Sequence, residues 1–311
     1  MKVAFFGTPD FAKPSLKTLA ESEYEVVGVV TAPNKPRGRG RLPAPTAIAI
    51  EAEILSLPIL KPISLKDRTF LDELRKWNAD IFVVVAFRIL PEEVFGMASG
   101  GSINLHASLL PAYRGAAPIQ WALWNGETTT GLTTFQIEKK VDTGNILLQR
   151  QVQIGESDDA GSLSEKLSLQ GASLLLETID GLESGMIKPQ RQDTSKATPA
   201  PKITDEHTKI DWNRSASEIR NQIRALSPKP GAFTRIDGQT LKIFRSEIIE
   251  NKDKSAPGSL TISDDGIVAN TGDNKLKLTD IQLQGKKRME TSAFLRGYRL
   301  RGTFKIDVTG G

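Results

Sequence analysis

Asn104, His106 and Asp142 are the side chains in this chain whose types and spacing suit chemistry at a carbonyl group. Residues 102–118 read SINLHASLLPAYRGAAP, and Asn104 and His106 stand two apart in a run with strand character. Side chains at i and i+2 of a strand share a face, so both polar groups are directed at one site. Asp142 opens the turn Asp142-Thr143-Gly144 between two further strand-like segments. An amide donor and an imidazole can stabilise the negative charge that grows on a carbonyl oxygen under attack, at ~3 kcal/mol per donor. A carboxylate beside the imidazole would fix its tautomer and favour its protonated form. The chain has no cysteine and no serine nucleophile elbow, so the chemistry indicated is direct acyl transfer to a substrate amine rather than hydrolysis through a covalent intermediate. The plainer reading makes His106 a hydrogen-bonded core histidine. Of the two histidines, His207 lies in a polar stretch and reads as solvated surface.

The elements that must carry these residues follow an alternating pattern. Val3–Gly7, Glu25–Thr31 and Ile81–Ala86 are short runs rich in Val, Ile and Phe, as in strands buried on both faces. Helical patterns over Phe11–Ala20, Thr46–Leu55, Lys66–Trp77 and Pro91–Met97 separate them. Ser102–His106, Thr129–Ile137 and Ile146–Ile154 supply further strands, with a short helix at Ile119–Trp124 and a long one over Ser162–Glu183. The expected fold is α/β, a Rossmann-like, mainly parallel sheet with helices on both faces. Its strand ends, with the irregular loop from Ser108 to Pro118, are where such folds bind ligands. Residues 1–188 form this catalytic domain, and 189–208, rich in Pro, Thr, Gln and Lys without periodicity, read as a linker. Residues 209–311 form a smaller C-terminal domain: one helix, Ser215–Leu226, then short alternating strands broken by Asp237-Gly238, Pro257-Gly258, Asp265-Gly266 and Gly272-Asp273. That pattern suits a small antiparallel barrel of oligonucleotide-binding (OB) type, with a helix over Thr291–Leu300.

Composition narrows the class of partner. The formal charge of +4 is uneven: residues 202–311 hold 20 Lys and Arg against 14 Asp and Glu, and the loop Lys35–Arg41 adds four positives to an otherwise acidic remainder. Lys35, Arg37, Arg39 and Arg41, with glycines between the arginines, suit a nucleic-acid backbone, though such loops are also often plain solvated surface. Lys286, Lys287 and Arg288 are a weaker case of the same kind. Gly7-Thr8-Pro9-Asp10 follows the first strand but matches neither the dinucleotide nor the phosphate-loop pattern. The N-terminus lacks a signal-peptide layout and no segment reads as a membrane span, so a cytoplasmic protein is expected.

The segment Asn104-x-His106-x-Ser108-Leu109-Leu110-Pro111-x-Tyr113-Arg114-Gly115, together with Asp142-Thr143-Gly144, resembles the bipartite motif of the 10-formyltetrahydrofolate-dependent formyltransferases. Phe6–Phe11, the Pro36–Leu42 loop, Gly115–Gln120, Ile223–Ala232 and Gly285–Met289 extend the likeness along nearly the whole chain, toward the members that formylate charged initiator tRNA. The resemblance implies that Asn104, His106 and Asp142 are catalytic. It implies a site for 10-formyltetrahydrofolate, the formyl donor, from Ser108, Leu109, Leu110, Pro111, Phe87, Arg88, Leu90 and Val141, with no metal. It further implies that initiator methionyl-tRNA is bound by the basic loop, the barrel and Lys286–Arg288; a monomer is the expectation for the free protein, although the sequence itself does not fix the oligomeric state. One departure is Phe87-Arg88-Ile89-Leu90, where many members have an aromatic residue followed by Gly; Arg88 either alters the pterin side of the pocket or turns outward as a wall or ion-pair partner. Two rival readings stand beside this one: a relative that formylates a sugar-nucleotide or purine-precursor amine, and an RNA-binding protein with a degenerate enzyme domain.

Overall fold

The computed structural model describes residues 1–37, 42–252, 255–297 and 302–306. The chain divides into two compact units: Met1–Pro118, Thr129–Gln153 and Ser164–Pro201 form the first, and Ile119–Thr128, Ile154–Leu163 and Lys202–Gly311 the second. In chain order the elements of the first half are β1 (Lys2–Gly7), α1 (Lys13–Ala20), β2 (Glu25–Val30), β3 (Lys35–Arg37), β4 (Leu42–Ala44), α2 (Ala47–Ile54), β5 (Ile59–Leu60), α3 (Arg68–Lys76), β6 (Ile81–Val85), α4 (Glu92–Phe95), β7 (Ser102–His106), α5 (Pro118–Trp124), β8 (Thr129–Gln136), β9 (Ile146–Gln153) and α6 (Ala160–Glu183).

A seven-stranded sheet in the order β5-β2-β1-β6-β7-β8-β9 forms the first unit. Its five leading strands are parallel, while β8 and β9 return antiparallel beside β7. The strands read as apolar runs because they are covered on both faces. On one face Ala4, Phe6, Phe82 and Val84 pack with Phe70, Leu71 and Leu74 of α3 and Val94 of α4. On the other lies α6, where Gly171 lets the helix approach so closely that a Cβ there would sit 2.7 Å from Leu105 Cδ2. Thr134 and Thr178 add a buried hydroxyl pair at 2.8 Å between β8 and α6.

These contacts settle which way β7 presents its side chains. Leu105 faces α6, so its neighbours Asn104 and His106 face the opposite side, and Asn104 pairs in register with Val84. The sheet order reverses at β1, with β2 on one side and β6 on the other, which creates a crevice at the carboxyl ends of β1 and β6. His106 is the last residue of β7, immediately beside that crevice.

The second unit contains α7 (Ala216–Leu226), β10 (Ala232–Ile236), β11 (Gln239–Ile249), β12 (Ser259–Ser263), β13 (Gly266–Asn270), β14 (Lys275–Leu283), β15 (Met289–Glu290), α8 (Thr291–Gly297) and β16 (Gly302–Lys305). The strands form one antiparallel curled sheet, β10-β11-β14-β13-β12-β16, with β15 added to β14, the barrel-like domain expected from the turns. Irregular register within β11 around Arg245 bends that long strand, as bulges do. Trp212, Ile219, Ile223 and Leu226 fill its core with Ile243, Leu276 and Leu278. The helix expected over Thr291–Leu300 is observed to Gly297, and the remaining residues fall outside those described. Among the described residues no helix is long and apolar enough to cross a membrane.

A capping box starts α7: Ser215 accepts from the Glu218 N–H, and Glu218 accepts from the Ser215 N–H and from Arg214 at 2.9 Å. The Arg214 hydrogen bond first, and those of Ser215 next, hold the Glu218 carboxyl down from 4.5 to about 2. Ser215→Ala should cost about 1 kcal/mol in urea unfolding of the full chain. The contribution of Glu218 is complete above pH 4.5 and is lost as pH falls toward about 2. The stability gap between parent and Glu218→Gln should therefore narrow over that window, and a pH-independent gap would refute the assignment.

Candidate active site

The imidazole of His106 is buried at 6% exposure and held from two sides. Nε2 lies 2.9 Å from the carbonyl oxygen of Tyr113. A carbonyl can only accept, so Nε2 carries a hydrogen. Nδ1 lies 3.8 Å from Asp142 Oδ2, an ion-pair distance too long for a direct hydrogen bond. The tautomer is thus set by the Tyr113 carbonyl, in the role that residue types alone assign to Asp142. Asp142 Oδ2 instead accepts the Gly115 N–H at 2.8 Å. Asn104, on the same face as His106 and partly buried, has no side-chain hydrogen-bond partner among the described residues, so its amide is available to a ligand.

Local backbone geometry around the imidazole is unusual. Tyr113 and Asp142 both adopt positive φ, at 59° and 54°, and Ala86 at the end of β6 does so at 49°. That conformation is unfavourable for non-glycine residues, and such outliers gather at ligand sites. Gly115, at φ 127°, passes so close to the 198–200 segment that a Cβ would lie 2.5 Å from Ala200 O. Gly144 is tighter still, with a Cβ position 1.7 Å from Gln136 O.

The segment expected to be a linker contributes to this geometry. Residues up to Pro201 belong to the first unit, and Gln190 pairs with Ile146 while Thr198 and Ala200 flank Arg114. The Arg114 N–H donates to Thr198 O at 2.8 Å, and the Ala200 N–H donates to Arg114 O at 2.6 Å. Its lack of periodicity comes from an extended path that pairs one residue at a time rather than from freedom in solvent. Gln192 is the missed residue: 5% exposed, it bonds Arg114 through Oε1 and the carbonyls of Asp142 and Gly144 through Nε2. No motif marks it in the sequence.

The other expected residues fall into distinct environments. Ser108 is fully buried and donates to Ala112 O at 2.6 Å, Leu109 packs over Gly131, and Leu110 is fixed through its N–H to Thr133 and its carbonyl to Gln149. They and Pro111 shape the loop, which Thr133 and Gln149 brace from β8 and β9. Phe87 and Leu90 follow β6, with Phe87 5.7 Å from Phe6, while Val141 is 47% exposed at the opposite turn. Arg88 turns its guanidinium onto the carbonyls of Pro62 and Ile63 at 2.8 and 2.9 Å, a strut between the loops after β5 and β6 rather than an ion pair. Burial pushes that guanidinium's pKa down.

Of the basic residues, Lys35 and Arg37 lie in the β3 backbone, which pairs with β4; Arg39 and Arg41 lie outside the described residues. Lys286 and Lys287 are exposed with no ion-pair partner among the described residues. Arg288 is committed elsewhere, bonded through Nε and Nη2 to Asp280 and standing 4.2 Å over the Phe244 ring.

Residues 1–179 match the family model described as formyl transferase, and 202–299 match the formyl transferase C-terminal domain. A curated relative from Caldanaerobacter subterraneus subsp. tengcongensis, methionyl-tRNA formyltransferase, is 44% identical over 302 residues, covering 96% of this chain and 98% of its own. Among solved structures, the methionyl-tRNA formyltransferase from Clostridium thermocellum superposes with a TM-score of 0.56 at 18% identity, over 89% of this chain and 98% of that one. An N-formyltransferase from Helicobacter canadensis, in complex with folinic acid and dTDP-3-aminofucose, gives 0.68 at 21%, over 89% and 99%.

Gly144→Ala should lower the unfolding free energy by about 1–3 kcal/mol, because the added methyl collides with backbone rather than with a movable side chain. An unchanged urea midpoint would show that the turn carrying Asp142 can be rebuilt without strain.

Proposed function

The chain belongs to the formyl transferase family, among relatives named methionyl-tRNA formyltransferase, and from that premise we propose that it moves a formyl group from 10-formyltetrahydrofolate to the α-amine of initiator methionyl-tRNA. The observation that carries the reading is the Asn104 amide, without a side-chain partner among the described residues, beside an imidazole whose Nε2 hydrogen is fixed by the Tyr113 carbonyl. The curated relative named methionyl-tRNA formyltransferase, 44% identical over 96% of this chain, supports a charged tRNA rather than a small amine as the acceptor.

In this mechanism the donor supplies the formyl carbon, and the protein supplies hydrogen-bond donors and a proton path. The Asn104 amide and His106 Nε2–H stabilise the charge that grows on the formyl oxygen. That oxygen competes with Tyr113 O for the Nε2 hydrogen, so the interaction strengthens only as negative charge develops. The amine loses a proton as its bond to carbon forms, and Asp142 with His106 relays that proton to the nitrogen from which the formyl group departs. Phe87, Arg88, Leu90, Val141 and the Ser108–Pro111 loop form the folate side. Arg88 acts there as a wall held by Pro62 and Ile63, not as a donor aimed inward. The catalytic domain is the first unit, which continues past residue 188 to Pro201, while Lys35, Arg37, Arg39 and Arg41, with the exposed Lys286 and Lys287 of the C-terminal domain, hold the tRNA backbone. Arg288 supports its two lysine neighbours through Asp280 and Phe244.

His106→Ala and Asn104→Ala should each lower kcat by about 10²–10³ with modest change in KM, measured as formyl transfer to charged initiator tRNA. Equal transfer to charged elongator tRNA, or faster formylation of a nucleotide-linked amino sugar, would contradict the acceptor assigned. Changing Arg37, Arg39 and Arg41 together to Ala should weaken tRNA binding and flatten its salt dependence by about one logarithmic unit for each phosphate no longer neutralised. Folate binding should be unchanged, and a salt dependence equal to the parent's would remove the loop from the interface.

A further inference from the structure

We propose that Gln192 is a positioning residue for the transfer step, one that fixes the distance between the two backbone segments gripping His106. Its amide orientation is chemically determined. Both groups at Nε2, the carbonyls of Asp142 at 3.0 Å and Gly144 at 2.8 Å, can only accept, and the Arg114 guanidinium at Oε1 can only donate, through Nε at 3.1 Å and Nη2 at 2.6 Å. At 5% exposure, both amide hydrogens and the carbonyl are thereby satisfied within the protein.

This amide joins the two sides of the imidazole. Arg114 lies between Tyr113, whose carbonyl takes the Nε2 hydrogen of His106, and Gly115, whose N–H holds Asp142 Oδ2. Asp142 and Gly144 belong to the turn that brings a carboxylate to the Nδ1 side of the same ring. One buried side chain therefore ties the segment on one edge of the imidazole to the turn on the other. Both segments carry positive φ at non-glycine residues, a conformation that the surroundings must enforce. A residue placed this way acts on kcat through ring and carboxylate placement, since displacements near 1 Å can cost about 100-fold.

The inference rests on the transfer reaction proposed above, so the test pairs kinetics with a readout that is independent of it. Gln192→Glu keeps the one acceptor oxygen that takes both Arg114 donors but sets its second carboxylate oxygen against two carbonyls, whereas Gln192→Ala removes both links. Both variants should lower kcat for formyl transfer by about 10- to 100-fold, with KM for the folate and for the tRNA within about threefold of the parent. In hydrogen–deuterium exchange, the Gly115 amide should exchange faster in both variants, while amides of β1 and β6 keep parent rates. A Gln192→Glu variant with parental kcat would overturn the proposal, as would Gly115 exchange unchanged in both variants. Should Gln192→Ala fail to fold, Gln192→Glu alone decides. If the parent protein transfers no formyl group to methionyl-tRNA, the functional reading fails, and the exchange of Gly115 still tests the role of Gln192.

Discussion

The hydrogen bond from His106 Nε2 to the Tyr113 carbonyl is the contact on which the site depends. It settles the tautomer, fills one edge of the ring, and leaves the other edge to Asp142 at 3.8 Å. Neither partner comes from a regular element: Tyr113 sits in the loop after β7 and Asp142 in the turn between β8 and β9, both at positive φ. Isolated loops would not hold such conformations. They are enforced by the Arg114 and Ala200 backbone bonds, by Gly115 and Gly144 at places where a Cβ cannot fit, and by Gln192 across the gap.

The sheet supplies what the loops cannot. Leu105 is engaged by α6, and alternation then turns Asn104 and His106 toward the opposite face at the carboxyl end of β7. The strand order reverses about β1 beside them, and Phe87 and Leu90, from the segment after β6, pack into the apolar core of that face with Phe6 and Phe82. A half-buried amide with no side-chain partner among the described residues is costly unless a ligand or water satisfies it, which is consistent with a group kept for binding.

Much of this is legible in the chain. Apolar runs alternating with helical periodicity point to the parallel sheet, and turn dipeptides at short spacing to the second domain, because burial and backbone chirality act through residue type. The approach of Asp142 to His106 is suggested by type alone, and the resemblance to a known family adds weight. The roles of Tyr113 and Gln192 are not legible. Tyr113 acts through its carbonyl, which every residue possesses, and Gln192 acts from an extended stretch whose pairing is with separate loops rather than with a periodic neighbour. The polar composition of residues 189–208 suggests a linker for the same reason: single-residue bridges leave no period. The engagement of Arg288 with Asp280 is likewise hidden, since the two lie on different elements.

The most direct test is the nitrogen-15 NMR spectrum of the imidazoles in the full-length protein near neutral pH. The chain has two histidines, and His207, whose Nδ1 accepts the Thr204 N–H at 3.1 Å, serves as an internal reference. The account predicts a hydrogen on Nε2 of His106, protected from exchange by the Tyr113 carbonyl. A spectrum placing the hydrogen of His106 on Nδ1 alone would contradict it.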